Sequence, residues 1–203
     1  VLVSVPRGGP AQAMPSIGLG ETILRSNGMI RTVSQIKDEL ADREAIKDCL
    51  YRYCRGIDRC DMELLRSAYW PGAMDTHTGF KGTIEEFIAW AQPRLQAMEQ
   101  NMHMIGNILI RLDGDKASGE AYFWSVAVIP GAVPRAILAC GRYLDRFERR
   151  NDEWRIAERL VAHDWFSETT QTGDWSIGPF GLTGLERGAS MAKDKSYTWL
   201  KLR

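Results

Sequence analysis

The chain has 203 residues, enough for one domain of ordinary size, and 44% of them are hydrophobic, enough for one buried core. Its 26 basic and 26 acidic side chains cancel, and no basic block stands out. That argues against non-specific nucleic-acid binding, which needs clustered positive charge to displace counterions. No apolar run approaches the ~20 residues that span a bilayer, so no membrane partner is expected.

Residues 1–33 read as an N-terminal extension. The stretch VLVSVPRGGPAQAMPSIGLGETILRSNGM has no charged leader ahead of a sustained apolar segment, so it does not resemble a signal peptide. Both a native extension that packs on a partner subunit and sequence upstream of a start at Met29 fit it. Cys49, Cys54, Cys60 and Cys140 follow no zinc-ligand spacing and mark no oxidised scaffold. They read as small buried apolar groups, reduced, in a cytoplasmic protein.

From about Ser34 the pattern turns helical. Ile36, Leu40, Ile46, Leu50, Tyr53 and Ile57 recur every three or four residues, with Asp42 as an expected N-cap and Gly56 a weak point near the end. A second helix is expected from Asp61 to Tyr69, closed by Pro71 and Gly72. DTHTGFKG reads as loop or short strand. Thr83 and Glu86 then form a capping box that opens a third helix, with Pro93 as an expected kink.

After residue 100 the chain reads as four long strands joined by hairpins, with turns at DGDK, PGAVP and NDE. Helices followed by such strands predict an α+β fold over residues 34–169, with the helices packed on a strongly curved, mainly antiparallel sheet. Residues 170–203 form a Gly-rich tail, expected along the surface or at a subunit boundary.

Strict alternation in the first long strand sends His103, Ile105, Asn107 and Leu109 to one face and Met102, Met104, Ile108 and Ile110 to the other. With both faces apolar, His103 is expected in a low-dielectric setting, and a carboxylate there would fix its tautomer for general-base work. Asp58, at the end of the first helix, is within reach of such a site. By spacing alone both residues also read as ordinary polar groups that end a helix and sit in a strand.

Other residues carry paired readings. His77 is either a solvated loop histidine or a residue of the pocket mouth. His163 reads as packing. Trp70, Trp90, Tyr122, Trp124 and Trp165 fill a core or line a pocket for a flat apolar ligand. Arg142 and Arg146 read as surface or subunit-contact charges, with Arg142 also able to meet a polar substrate group. The spacing of the three histidines lacks a short metal-binding pair, so no metal is expected.

The segments DREAIKDCLYRYCRGIDRCDMELLRSAY, FKGTIEEFIAWA, NMHMIGNILI and GRYLDRFERRNDEWRIAERLVAHDWF, in this order, resemble the SnoaL-like branch of the nuclear transport factor 2-like superfamily over residues 36–167. The resemblance implies a cone-shaped α+β barrel, a homodimer or homotrimer, and a ligand pocket in the mouth. Within the superfamily the chain looks like cofactor-independent lyases of the scytalone dehydratase, bile-acid 7α-dehydratase and hexachlorocyclohexane dehydrochlorinase types. Carried over by motif, YCRGID makes Tyr53 a hydrogen-bond donor and Asp58 the orienting carboxylate, and NMHMIGN makes His103 the base. The bile-acid type has a further acid on the following strand, where EAYFWSVAVI offers no carboxylate after Glu120. Tyr53, Ser125 or a second histidine would then polarise the leaving group.

The resulting expectation is a lyase or isomerase that needs no cofactor and acts on a small apolar, cyclic or aromatic substrate. Dehydration and formaldehyde-releasing cleavage of an aryl-propanediol are its two forms. Its catalytic residues would be His103, Asp58 and Tyr53, with His77, Trp70, Tyr122, Trp124, Ser125, Asn107 and Arg142 around the substrate. The alternative is a non-catalytic ligand-binding protein, or an accessory subunit of a ring-hydroxylating oxygenase, on the same fold.

Overall fold

The computed structural model describes residues 23–26, 29–77, 79–181 and 186–200. The chain packs as two units that divide between Leu40 and Ala41. In the first, β1 (Ile23–Ser26) pairs antiparallel with β2 (Met29–Thr32). The expectations for residues 1–22 lie outside the described residues.

Helix α1 runs Val33–Asp58, the span over which the periodicity is read. Thr32 and Gln35 cap it reciprocally: the Gln35 N–H donates to Thr32 Oγ1 at 3.2 Å and the Thr32 N–H donates to Gln35 Oε1 at 2.9 Å. Asp42 is therefore inside the helix rather than at its N-cap, and its carboxylate accepts from Trp154 Nε1 at 2.8 Å. The stripe Ile46, Cys49, Leu50, Tyr53, Cys54 and Ile57 is buried, as the spacing predicts, but Leu40, which the same spacing includes, is exposed and Ile36 only partly buried. Gly56 has a packing reason. A Cβ there would lie 2.7 Å from the Leu65 backbone nitrogen, so only glycine lets the last turn of α1 meet α2 (Met62–Ser67).

Asp61 caps α2, accepting from the Leu64 N–H at 3.0 Å. Pro71 and Gly72 do not merely close that helix. They lie within β3 (Tyr69–His77), which pairs antiparallel with β4 (Phe80–Thr83). Helix α3 (Ile84–Ala97) opens on the expected Thr83–Glu86 capping box and carries Pro93 inside it.

The four long strands are β5 (Gln100–Asp113), β6 (Lys116–Ile129), β7 (Arg135–Arg150) and β8 (Glu153–Thr170). With β3 and β4 they form one six-stranded sheet in the order β4-β3-β8-β7-β6-β5, in which only the β3–β8 pair is parallel. The class is α+β, as expected. The sheet is curved but open: β4 and β5 are its two edges, not partners that close a barrel.

Two irregularities decide which side chains face the helices. In β5 the register against β6 shifts between Gly106 and Ile108, and Asn107 takes φ 21°, a β-bulge. Strict alternation therefore fails beyond it. Ile108 and Ile110 join His103 and Ile105 on the helix-facing side, while Leu109 turns outward. In β8 a second shift sets Gly141 opposite His163, where a Cβ on Gly141 would lie 2.1 Å from the Ala162 carbonyl oxygen. A single core joins α1, α2, α3 and the helix-facing residues Ala121, Phe123, Tyr143, Phe147 and Ile156.

Candidate active site

Asp58 is the last residue of α1 and His103 the fourth of the edge strand β5. The His103 backbone N–H donates to Asp58 Oδ2 at 2.9 Å, and the imidazole Nδ1 lies 2.7 Å from Oδ1. A carboxylate only accepts, so Nδ1 carries the proton it donates, and in the neutral ring the lone pair falls on Nε2. Among the described residues Nε2 has no hydrogen-bond partner. Both side chains are nearly buried, 12% and 10% exposed, so water screens the pair weakly.

An open cavity of about 310 Å³ adjoins the pair, lined by Tyr51, Cys54, Arg55, Asp58, Arg59, His103 and Ile105. Tyr51, Arg55 and Asp58 or Arg59 recur at helical spacing, so one face of α1 walls it. That spacing was readable in the sequence. What was not readable is that this face, away from the buried stripe, turns toward β5. Burial pushes the Cys54 thiol up to about 12, so at neutral pH it is a small apolar wall rather than a nucleophile.

A second polar cluster lies inside the core. Tyr69 Oη donates to Asp75 Oδ2 at 2.7 Å, Asp75 also binds His77 Nδ1, and His77 Nε2 shares a 2.9 Å hydrogen bond with the Tyr53 hydroxyl. The His77 ring stacks on Phe87 with centroids 4.6 Å apart. Beside it, buried Arg159 donates twice to Asp145, both at 2.7 Å, and its guanidinium covers the Tyr53 and Tyr143 rings at 4.0 and 4.1 Å. Burial raises the Tyr53, Tyr69 and Tyr143 hydroxyls above their usual range, with Arg159 opposing the shift. Burial also pulls His163 below the usual imidazole range, helped by nearby His77 and opposed by Asp164.

These contacts revise several sequence expectations. Tyr53 directs its hydroxyl to His77, so its proton is committed away from the Asp58–His103 pair. His77 has both ring nitrogens engaged inside the protein and is not a free residue of the pocket mouth. Trp70 donates to the Glu148 carbonyl at 2.9 Å and lies between Arg150 and Arg155, away from the cavity lining. Tyr122 and Trp124 alternate with Phe123 and so occupy the outer face, with Arg142 directly opposite Tyr122. Arg142 is taken by Asp164, at 3.0 Å through both Nε and Nη2, and by Glu120 at 3.3 Å. Asn107 is the exposed bulge residue. Ser125 faces His103 across the β5–β6 register and leans on the Ala139 carbonyl at 3.5 Å. The residues that sequence reasoning missed are Asp75, Tyr69, Asp145 and Arg159 in the core, and Tyr51, Arg55 and Arg59 at the cavity.

The C-terminal segment packs on the end of α1. Arg59 meets Asp194 at 3.2 Å, Met191 N–H donates to the Arg59 carbonyl, Arg55 donates to Ser196 Oγ at 3.0 Å, and Tyr197 donates to Asp61 at 2.7 Å. Among the described residues, no group of three or more His, Cys, Asp or Glu gathers as a metal site, and no helix is long and apolar enough to cross a membrane.

Helices laid on one face of an open, curved sheet, with an imidazole–carboxylate pair where the first helix meets the edge strand, define an α+β fold with an open cavity beside that pair. The chain belongs to the SnoaL-like domain family, whose model matches residues 38–160. It is 31% identical over 126 residues to the uncharacterized protein Rv2910c of Mycobacterium tuberculosis, covering 60% of this chain and 85% of that one. Among solved structures it is similar to a type 2 hexachlorocyclohexane dehydrochlorinase, with TM-score 0.63 and 22% identity, covering 72% of this chain and 99% of that one. It is also similar to the protein Kfla4162 from Kribbella flavida, with TM-score 0.60 and 20% identity, covering 64% and 95%. At these identities the structural likenesses establish the fold.

Proposed function

We propose that this protein is a cofactor-independent lyase acting on a small substrate with an apolar ring, with His103 as general base and Asp58 as its orienting carboxylate. His103 Nε2 takes a proton from a substrate carbon, and the C–H electron pair becomes the new carbon–carbon double bond. The hydroxyl on the neighbouring carbon leaves with its bonding pair and takes the proton back from the imidazolium, releasing water. One group thus serves as base and then acid, and no second acid is required of Tyr53. The observation that carries the reading is the 2.7 Å Nδ1–carboxylate contact, with the opposite ring nitrogen free of described partners beside an open cavity. The dehydrochlorinase named among the similar folds supports it as analogy.

Homo-oligomerisation is part of the same proposal. The outer face of the sheet exposes the large apolar side chains Met102, Met104, Tyr122, Trp124 and Trp165, which a subunit contact would cover.

The test is a mass-spectrometric screen of the purified protein against aromatic and steroid-like alcohols. Loss of water identifies dehydration; loss of formaldehyde identifies the carbon–carbon cleavage form. On whichever substrate turns over, His103→Ala is expected to lower turnover by at least ~100-fold, the low end for losing a general base. Near-normal turnover in the folded variant removes His103 from the mechanism.

A further inference from the structure

The cavity is apolar at Tyr51, Cys54 and Ile105, cationic at Arg55 and Arg59, and anionic at Asp58, whose two carboxylate oxygens are both taken by N–H groups of His103. The two arginines are not equivalent. Arg59 is neutralised, with Nε 3.2 Å from the Asp194 carboxylate and Nη1 on the Asp58 carbonyl at 3.3 Å. Arg55 is in no ion pair among the described residues. Its Nη2 donates to Ser196 Oγ at 3.0 Å, and its guanidinium lies 4.7 Å from the centroid of the Tyr197 ring, whose hydroxyl is turned to Asp61. A neutral hydroxyl and an aromatic face hold the guanidinium in place without cancelling its charge, and most of its five N–H donors are left over. The C-terminal segment therefore preorganises one cation at the lip of the cavity.

The end of α1 supplies a partial counter-field of about half an elementary charge, which favours an arginine in the last turn. With both Asp58 oxygens occupied by His103, the donors left for a ligand are those of Arg55, and the planar fork of a guanidinium matches a carboxylate. A phosphate dianion would call for more cationic donors than one arginine supplies.

We infer that the ligand of this cavity carries a carboxylate on its apolar or aromatic body, bound by Arg55 while the reacting carbon lies at His103 Nε2. This rests on the reading of the cavity as the reactive site and names the substrate class: aryl or alicyclic carboxylic acids rather than uncharged alcohols. Arg55 is then the residue that discriminates acid from neutral substrate, and the segment around Ser196 and Tyr197 positions it. A cavity of about 310 Å³ suits a single ring with a short acidic arm.

The experiment uses 3-phenylpropanoate and its uncharged isostere 3-phenylpropanamide, titrated into the full chain while the His103 ring resonances are followed by NMR. The acid is expected to shift those resonances and to bind at least about tenfold more tightly than the amide, a modest return for one charge-assisted contact. Added salt should shrink the difference. Arg55→Gln should abolish the preference, with far-UV circular dichroism reporting that the variant is folded. Arg146→Gln, on an exposed side chain of the sheet, should keep the preference. Equal binding of acid and amide, a preference that survives Arg55→Gln, or no saturation by the acid at millimolar concentrations would each overturn the inference. The two readings fail separately. A neutral substrate turned over with full dependence on His103 and none on Arg55 sinks the carboxylate inference and leaves the base standing. Arg55-dependent acid binding with turnover indifferent to His103→Ala does the reverse.

Discussion

Replacing Asp58 by Asn tests the pair at the level of single protons. The carboxylate accepts from two donors at once, the His103 backbone N–H at 2.9 Å and Nδ1–H at 2.7 Å. An asparagine of the same shape has one accepting oxygen and one donating NH₂, so it cannot satisfy both. If its NH₂ faces the ring, Nδ1 must become the acceptor, the proton moves to Nε2, and the base is blocked. If its NH₂ faces the backbone, two donors oppose each other at a nearly buried site, costing about 1–3 kcal/mol for an unmade hydrogen bond. The loss of a charged acceptor adds to either case, since bonds to charged groups are worth about 1.5–3 kcal/mol. Long-range ¹H–¹⁵N correlation of the His103 imidazole reads the tautomer, and urea unfolding reads the stability. The expected result is either a switched tautomer or a destabilisation of this size, and in both cases turnover falls ~10²–10⁴-fold. An Asp58→Asn protein with the wild-type tautomer and unchanged stability would refute the geometry on which the argument stands.

Three further outcomes are expected. Arg159→Met leaves Asp145 charged and unpaired in the core and should destabilise the protein by about 3–5 kcal/mol in urea unfolding, while the double variant with Asp145→Leu should recover much of that loss. Trp124→Glu places a charge on the outer apolar face and should lower the mass of the assembly in light scattering without changing the far-UV circular dichroism; a wild-type protein that is already monomeric would refute the subunit-contact reading. Asp194 resists ionisation through burial, but hydrogen bonds from Ser196 and the Ala189 N–H, with Arg59, outweigh this and hold its carboxyl at about 2. Because the folded value lies below the unfolded one of about 3.9, its contribution is complete above that pH and is lost as the pH falls toward 2. Acid should therefore release the C-terminal segment to protease in that window, and Asp194→Asn should lack the step.

The amino-acid sequence by itself determined the local elements and the α+β class. The buried stripe of α1, the Thr83–Glu86 capping box and the hairpin turns follow from short-range spacing and turn chemistry. Asn151 and Asp152, with φ 52° and 60°, show that last link directly. Asp58 and His103 were also legible as candidates, since a family motif is carried by residues close in the chain. The limits arose where distant segments meet. The bulge at Asn107 reverses the faces of β5 beyond it, and such an insertion is set by pairing with β6 rather than by the residues of β5 alone. Tyr53 sits five residues before Asp58, yet the interior hydrogen bond to His77 claims its hydroxyl. Asp75, Asp145 and Arg159 look like surface charges in a linear reading, and only the tertiary structure buries them against one another and against the tyrosine rings. Periodicity reports which residues share a face; the partner on which that face closes depends on contacts tens of residues away, and the cavity beside His103 exists only in that closure.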